Sequence, residues 1–159
     1  MTYYTLSYTF TEQAGPAYYS EQTDEEFYDT EDFDWDYEVS ELQIAEAFID
    51  LYGKKGNTLE ENCKLVVQEL MTEEDLKQTL VDWEAKDLDE AIAAIKANAD
   101  RYNERMEQDG KPNRWPKDAR LLLDGLLGDF SYYKDEHEDE LTEYFEEEAH
   151  EDFRNNYNN

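Results

Sequence analysis

A single cysteine, Cys63, is all the thiol chemistry this 159-residue chain has, so no internal disulfide and no paired-cysteine metal site can form. Cys63 falls on the apolar stripe of a helical segment and reads as a core thiol. Basic residues are also scarce: 14 lysines and arginines stand against 43 aspartates and glutamates, a formal charge of −29. Such a chain is repelled by nucleic acid and by anionic membranes, so its partner must be basic. No run of about 18 apolar residues offers a membrane span, and the first residues lack the basic and apolar regions of a signal peptide. The expected location is the cytoplasm. Only two histidines, His137 and His150, are present, and no glycine-rich phosphate loop or nucleophile elbow occurs.

What is abundant is acid and aromatic. A mean hydropathy of −1.02 points toward disorder. The 23 aromatic residues and clear amphipathic periods point the other way. The length suits one domain with a real core, in three stretches: a β-rich acidic segment over 1–39, a helical body over 40–128, and an acidic C-terminal helix and tail over 129–159. Charge is concentrated at the ends. Residues 1–57 carry 14 acids and 2 bases, 58–128 carry 17 and 10, and 129–159 carry 12 and 2. A surface made acidic for solubility in brine would be acidic throughout and poor in lysine, whereas nine lysines are present here.

Period-two alternation opens the chain. Tyr4, Leu6, Tyr8 and Phe10 share one face, and Thr5, Ser7, Thr9 and Thr11 share the other, the pattern of a strand that Gly15–Pro16 ends. A second strand over 32–39 turns Phe33, Trp35, Tyr37 and Val39 inward. Its other face carries Asp32, Asp34, Asp36 and Glu38, a row of carboxylates spaced by roughly 6.6–6.8 Å. Phosphates along a nucleic acid strand also recur every few ångströms. The two strands can pair as a hairpin, although the stretch between them is long for a structureless loop, which marks it as a candidate functional loop.

From Ser40 the periodicity becomes helical. Ser40 with Gln43 and Thr58 with Glu61 have capping-box spacing, and Thr72 and Asp87 can cap two further helices. Another runs through Leu122 and Leu126 to Gly128. The last helix, over 130–152, is expected to place Phe130, Tyr133, His137, Leu141, Tyr144 and Phe145 on one side. Asp135, Glu136, Asp139, Glu143, Glu146 and Glu147 then face the other way, while Glu148 falls near the apolar stripe. Like charges at i, i+4 each cost a few tenths of a kcal/mol on an isolated helix. The plain account is a solvated face; the acidic strand at 32–38 favours a binding surface instead.

Competing chemistry fails on spacing. A calcium loop starting at Asp32 needs glycine and glutamate where the chain has Tyr37 and Gln43. Glu147-x-x-His150 is half of a carboxylate di-iron motif, but His137 lacks the second glutamate. No carboxylate pair is singled out for acid–base work. No enzyme activity, cofactor or metal is expected.

A small, cysteine-poor, strongly acidic chain with Asp-Phe-Asp-Trp-Asp-Tyr-Glu at 32–38 and the acidic run 135–140 resembles the DNA-mimic inhibitors of phages and mobile elements, the anti-CRISPR and anti-restriction proteins. The resemblance implies a non-catalytic protein that occupies the DNA groove of a bacterial defence nuclease, inside the host cell. An RNA-guided nuclease is the preferred partner and a restriction enzyme the close second. Asp32, Asp34, Asp36 and Glu38 would then meet PAM-reading arginines, and the last helix would lie along the basic channel. The alternative from another class is an acidic chaperone or regulatory module that shields a basic cellular protein. The fold class expected is α+β, a small N-terminal antiparallel sheet packed on a mainly helical body.

Overall fold

The alternation and the helical stripes resolve, in a computed structural model that describes residues 2–112 and 114–157, into an α+β fold. The elements in chain order are β1 (Tyr3–Gln13), β2 (Tyr18–Ser20), β3 (Glu25–Phe27), β4 (Thr30–Ser40), α1 (Glu41–Tyr52), α2 (Leu59–Leu70), α3 (Glu73–Asp82), α4 (Leu88–Gln108), α5 (Ala119–Leu127), α6 (Phe130–Glu136) and α7 (Glu138–Tyr157). They gather into two compact units. One, the helical unit, spans Ser40–Glu138 with Thr2; the other, the sheet unit, joins Tyr3–Val39 to the chain from Asp139 onward. The last two residues of the expected tail, and Asn113 in the turn before α5, lie outside the described residues.

In the sheet unit β1 pairs with β4. The pairing is antiparallel and keeps one register from end to end. The Ala14 N–H donates to the Asp29 carbonyl at one end (2.8 Å), the Glu41 N–H donates to the Thr2 carbonyl at the other (3.1 Å), and the side-chain pairs between them keep step. Leu6, Tyr8, Phe10 and Val39 are buried, as the alternation requires, with Phe33, Trp35 and Tyr37 half-buried beside them.

Two strands alone are marginal in water and need a partner for their apolar face. Here α7 supplies it through Leu141, Phe145, Ala149 and Phe153, a ridge at four-residue spacing that is buried throughout. Phe153 sits at the centre, its ring 5.5 Å from Phe10, 5.7 Å from Phe33 and 5.5 Å from Trp35. The polar tips of the inner face are satisfied by the same helix: the Tyr8 hydroxyl donates to the Thr142 carbonyl (2.7 Å) and the Trp35 indole N–H to Asp152 (2.9 Å). The long connection between β1 and β4 is a second hairpin, in which Tyr18 pairs with Phe27, Tyr19 with Glu26 and Ser20 with Glu25.

The helical unit follows its start and stop signals closely. Both capping boxes form, Ser40 with Gln43 and Thr58 with Glu61, and Thr72, Asp87 and Asp118 cap α3, α4 and α5. Its core is built from Ile44, Phe48, Val66, Val67, Ile92, Ile95, Leu122, Leu123 and Leu126. Cys63 lies among them, fully buried, and burial pushes its thiol up to about 12. Helix α3 buries no residue, so hydrogen bonds attach it. The Trp83 indole N–H donates to the Gly125 carbonyl (2.9 Å) and the Thr79 hydroxyl to the Leu126 carbonyl (3.2 Å), which satisfies two of the carbonyls left open at the end of α5.

One expectation needs correction. The single helix read over 130–152 is two helices, α6 and α7, with His137 between them at φ −115°, ψ 24°. An i, i+4 apolar series drifts by about 40° per step on a 3.6-residue helix. The break lets α6 bury Phe130 and Tyr133 in the helical unit while α7 buries Leu141, Phe145, Ala149 and Phe153 in the sheet unit. His137 is held at the break by edge-on contacts with Phe48 (6.3 Å) and Tyr52 (6.0 Å). Glu148 is exposed on the flank of the α7 ridge of Phe145, Ala149 and Phe153.

Phe153→Ala is expected to destabilise the sheet unit by about 3–5 kcal/mol, the usual cost of emptying an aromatic core site. Denaturant titration with amide signals of β1 and β4 as reporters checks it; a loss below about 1 kcal/mol would mean that α7 is not what holds the sheet.

Candidate functional site

The acidic row forms as the alternation requires. Asp32, Asp34, Asp36 and Glu38 all lie on β4 with exposed side chains, on the face of the sheet opposite α7. Register adds a feature that composition could not show. The Thr11 hydroxyl donates to Asp32 (2.6 Å), the Thr9 hydroxyl to Asp34 (2.9 Å) and the Ser7 hydroxyl to Asp36 (3.1 Å). Three carboxylates are thus each held from the neighbouring strand through one oxygen, which leaves the other to the solvent side. A hydroxyl partner fixes position without cancelling charge, as a lysine would.

The helical acids are only partly brought to this unit. Asp139, Glu143, Glu146 and Glu147 are exposed on α7, whereas Asp135 and Glu136 are exposed on α6 in the helical unit, Asp135 in an ion pair with Lys134 (2.6 Å). The expected continuous acidic face over 135–147 is therefore interrupted. Nor do the α7 acids share a surface with the row on β4. The row covers the open face of the sheet, whereas the α7 acids stand on the helix that covers the other face, Asp139, Glu143 and Glu147 turned from its ridge and Glu146 on its flank near Tyr8, whose phenol is raised by burial and then by the Glu146 charge. Acid meets acid only around the edge of β4, where Thr5, Trp35, Asp36, Tyr37, Glu38, Asp152 and Asn156 line one groove of about 480 Å³. Burial, with the charges of Asp152 and Glu148 adding to it, raises the Tyr37 phenol above its ordinary value.

Sequence reasoning missed Asp152 and the positioning hydroxyls of Ser7, Thr9 and Thr11. The signal for the hydroxyls was present in the period-two Ser/Thr run, but its meaning required the register. It also missed the aromatic display on the inserted hairpin: Tyr18, Tyr19 and Tyr28 are each more than half exposed among Asp24, Glu25, Glu26 and Asp29.

The charge of the sheet unit is extreme. It holds 19 aspartates and glutamates against one arginine, Arg154, a net −18, while Ser40–Glu138 holds 24 against 13. Arg154 and His150 are both spent on one acid at the far end of β1. Glu12 accepts from His150 Nε2 (2.5 Å) and from Arg154 Nε (3.3 Å), and these two contacts, His150 first, hold its carboxyl below the ordinary range. His150 also stacks on Phe10 at 4.4 Å. It is thereby turned to Glu12, and the half-motif Glu147-x-x-His150 assembles no metal site. Among the described residues no three metal-ligating side chains converge. The calcium-loop spacing at Asp32 falls on extended strand.

A separate cleft of about 260 Å³ lies in the helical unit, lined by Glu41, Arg114, Trp115, Pro116, Arg120, Leu121 and Asp124. Burial raises the Asp124 carboxyl; burial and then the charge of Asp124 raise Glu41, against the opposing pull of Arg120. A raised carboxyl lets the folded chain take up its proton before the unfolded chain does. Stability withheld at neutral pH is therefore regained as pH falls from the raised values to the ordinary carboxylate range.

No family model, curated protein or solved structure matches the chain. No helix among the described residues is long and apolar enough to cross a membrane.

Two predictions follow from these geometries. Asp124→Asn is expected to melt above the parent at neutral pH and to converge with it in mild acid; an advantage that grew on acidification would contradict the assigned direction. Changing Asp32, Asp34, Asp36 and Glu38 together to their amides should leave folding within about 1 kcal/mol, because exposed carboxylates contribute little to stability. The same change should abolish most partner binding, since each desolvated charge pair that loses a member costs about 2–5 kcal/mol. Calorimetric unfolding and titration of the parent and the fourfold variant separate the two effects.

Proposed function

We propose that the chain is a DNA mimic, a stoichiometric protein inhibitor that occupies the DNA-binding groove of a bacterial defence nuclease in the host cytoplasm. The observation that carries this reading is the row of Asp32, Asp34, Asp36 and Glu38, regularly spaced on rigid strand, three of its members positioned by hydroxyls that leave their charge intact. A surface acidic only for solubility has no need of regular, positioned carboxylates. A groove that binds phosphates through arginine does, because a guanidinium takes a carboxylate oxygen in the geometry it uses for phosphate.

The second acidic surface strengthens the reading. With Asp139, Glu143 and Glu147 exposed on the side of α7 turned from its buried ridge and Glu146 on the flank, the unit carries acid on two sides, as a duplex with its two backbones does. The role expected for the last helix shifts accordingly: the row and α7 would engage two walls of a channel rather than one continuous wall, and Asp135 and Glu136 belong to another unit. An RNA-guided nuclease fits this demand, since it combines arginines that read a short duplex motif with a positively charged channel; a restriction enzyme, whose cleft also takes duplex, is the next candidate. The mechanism is exclusion. The inhibitor needs no turnover, only occupancy of the groove before DNA arrives.

Competition tests it. Against a panel of purified RNA-guided nucleases and restriction enzymes, the chain should bind the free target and fail to bind the target already holding DNA. Affinity should fall as salt rises, with a shallower slope than DNA itself shows, because a folded acidic surface has fewer condensed counterions to release. Simultaneous binding of chain and DNA, or an affinity indifferent to salt, would sink the proposal.

A further inference from the structure

Four consecutive residues of β4, Trp35 to Glu38, line a single groove together with Asp152 and Asn156 of α7 and, on the outer face, Thr5 of β1. Successive side chains of a strand point to opposite faces, so a concavity touched by all four lies along the strand's edge. That edge is open: β4 has β1 on one side and, among the described residues, no strand on the other. Register then decides which backbone groups face it. In an antiparallel pair, residues that exchange backbone hydrogen bonds alternate with residues that do not. The bonds Ala14–Asp29 and Thr2–Glu41 fix the odd-numbered positions of β4 as the ones that bond to β1. The N–H and C=O of Asp34, Asp36 and Glu38 consequently point outward, those of Asp36 and Glu38 along the groove.

Exposed edges of this length are usually blunted by lysine, proline or a bulge. This one has none of the three over Thr30–Ser40. Its only guard is negative charge. A second β4 laid against it would set carboxylate beside carboxylate, which disfavours self-pairing. A strand bearing arginine or lysine at every second position would meet the opposite situation. Its basic side chains would stand beside Asp34, Asp36 and Glu38, and its alternate side chains would cover the half-buried Trp35 and Tyr37.

We infer that the open edge of β4 is a docking site for an extended segment of a protein partner, alternating basic with apolar residues, which adds to the sheet as a further strand. This rests on the proposed binding of a basic partner and specifies its mode: main-chain pairing supplies affinity and the alternating side chains supply selection. The groove beside β4 gives the incoming strand its place, with Asp152, which accepts from Trp35 and from Asn156, forming the wall.

The test uses the full chain, isotope-labelled, and a short capped peptide alternating arginine with valine. Two further peptides carry N-methyl groups, one on the arginine amides and one on the valine amides; charge is unchanged, but one edge of the strand is blocked in each. The unmodified peptide should bind and protect the amides of Asp34, Asp36 and Glu38 from hydrogen exchange. Methylation of one set of amides should weaken binding about tenfold or more, the loss expected for several backbone hydrogen bonds, and methylation of the other set should spare it. Loss on the arginine set reports antiparallel addition, and loss on the valine set parallel addition. Asp34→Pro should bind more weakly than Asp34→Asn, since both lack the carboxylate and only proline lacks the outward N–H.

If all three peptides bind alike and exchange at Asp34, Asp36 and Glu38 is unchanged, attraction is by charge alone: strand addition is overturned and the basic-partner reading stands. If none binds, strand addition is overturned, and the DNA competition decides the broader reading on its own. Concentration-dependent self-association that the peptide does not reverse would assign the edge to a second copy and overturn the inference as well.

Discussion

The contact between the ridge of α7 and the inner face of the β1–β4 pair is the constraint on which the rest of the sheet unit depends. A two-stranded sheet has two faces and one of them must be covered. Phe145 and Phe153 pack on it, on a ridge buried from Leu141 to Phe153, and the other face has no apolar duty. Strand geometry and charge repulsion are then the constraints on that outer face. The result is a face whose β4 positions are acid from Asp32 to Glu38 and whose β1 positions are hydroxyl from Thr5 to Thr11.

Repulsion within the row is moderated without cancelling it. Strand spacing keeps neighbouring carboxylates roughly 6.6–6.8 Å apart, and each hydroxyl donor from β1 stabilises its carboxylate by a hydrogen bond to a charged acceptor. Arg154 and His150 are both placed at Glu12, on β1, away from the groove beside β4. Neutralisation is thus kept on the β1 side and unmatched charge on the β4 side. Lysines and arginines are instead distributed through the helical unit, in pairs such as Lys64–Asp89 and Lys117–Asp100.

Much of this architecture was legible because local signals were strong. Period-two alternation identified β1 and β4 and sorted their faces residue by residue. Capping residues at Ser40, Thr58, Thr72 and Asp87 identified four helix starts, since each satisfies backbone amides that the helix itself cannot. The break at His137 was not legible: apolar residues continue at four-residue spacing through it. The inserted hairpin was hidden for another reason. Strands of three residues, Tyr18–Ser20 and Glu25–Phe27, are too short to show a period.

The candidate site divides along the same line. Its carboxylates on β4, their common face and their spacing are properties of one strand, and a strand's side-chain period is set by its own backbone; the sequence alone determined them, along with the acidic charge. Which hydroxyl meets which carboxylate, which backbone groups face the open edge, and that the acids of α7 lie behind the sheet rather than beside the row are relations between segments more than a hundred residues apart or on different strands. Only the tertiary structure decided those, because register and the facing of packed elements are settled by which apolar surfaces bury one another, and no local pattern encodes that choice.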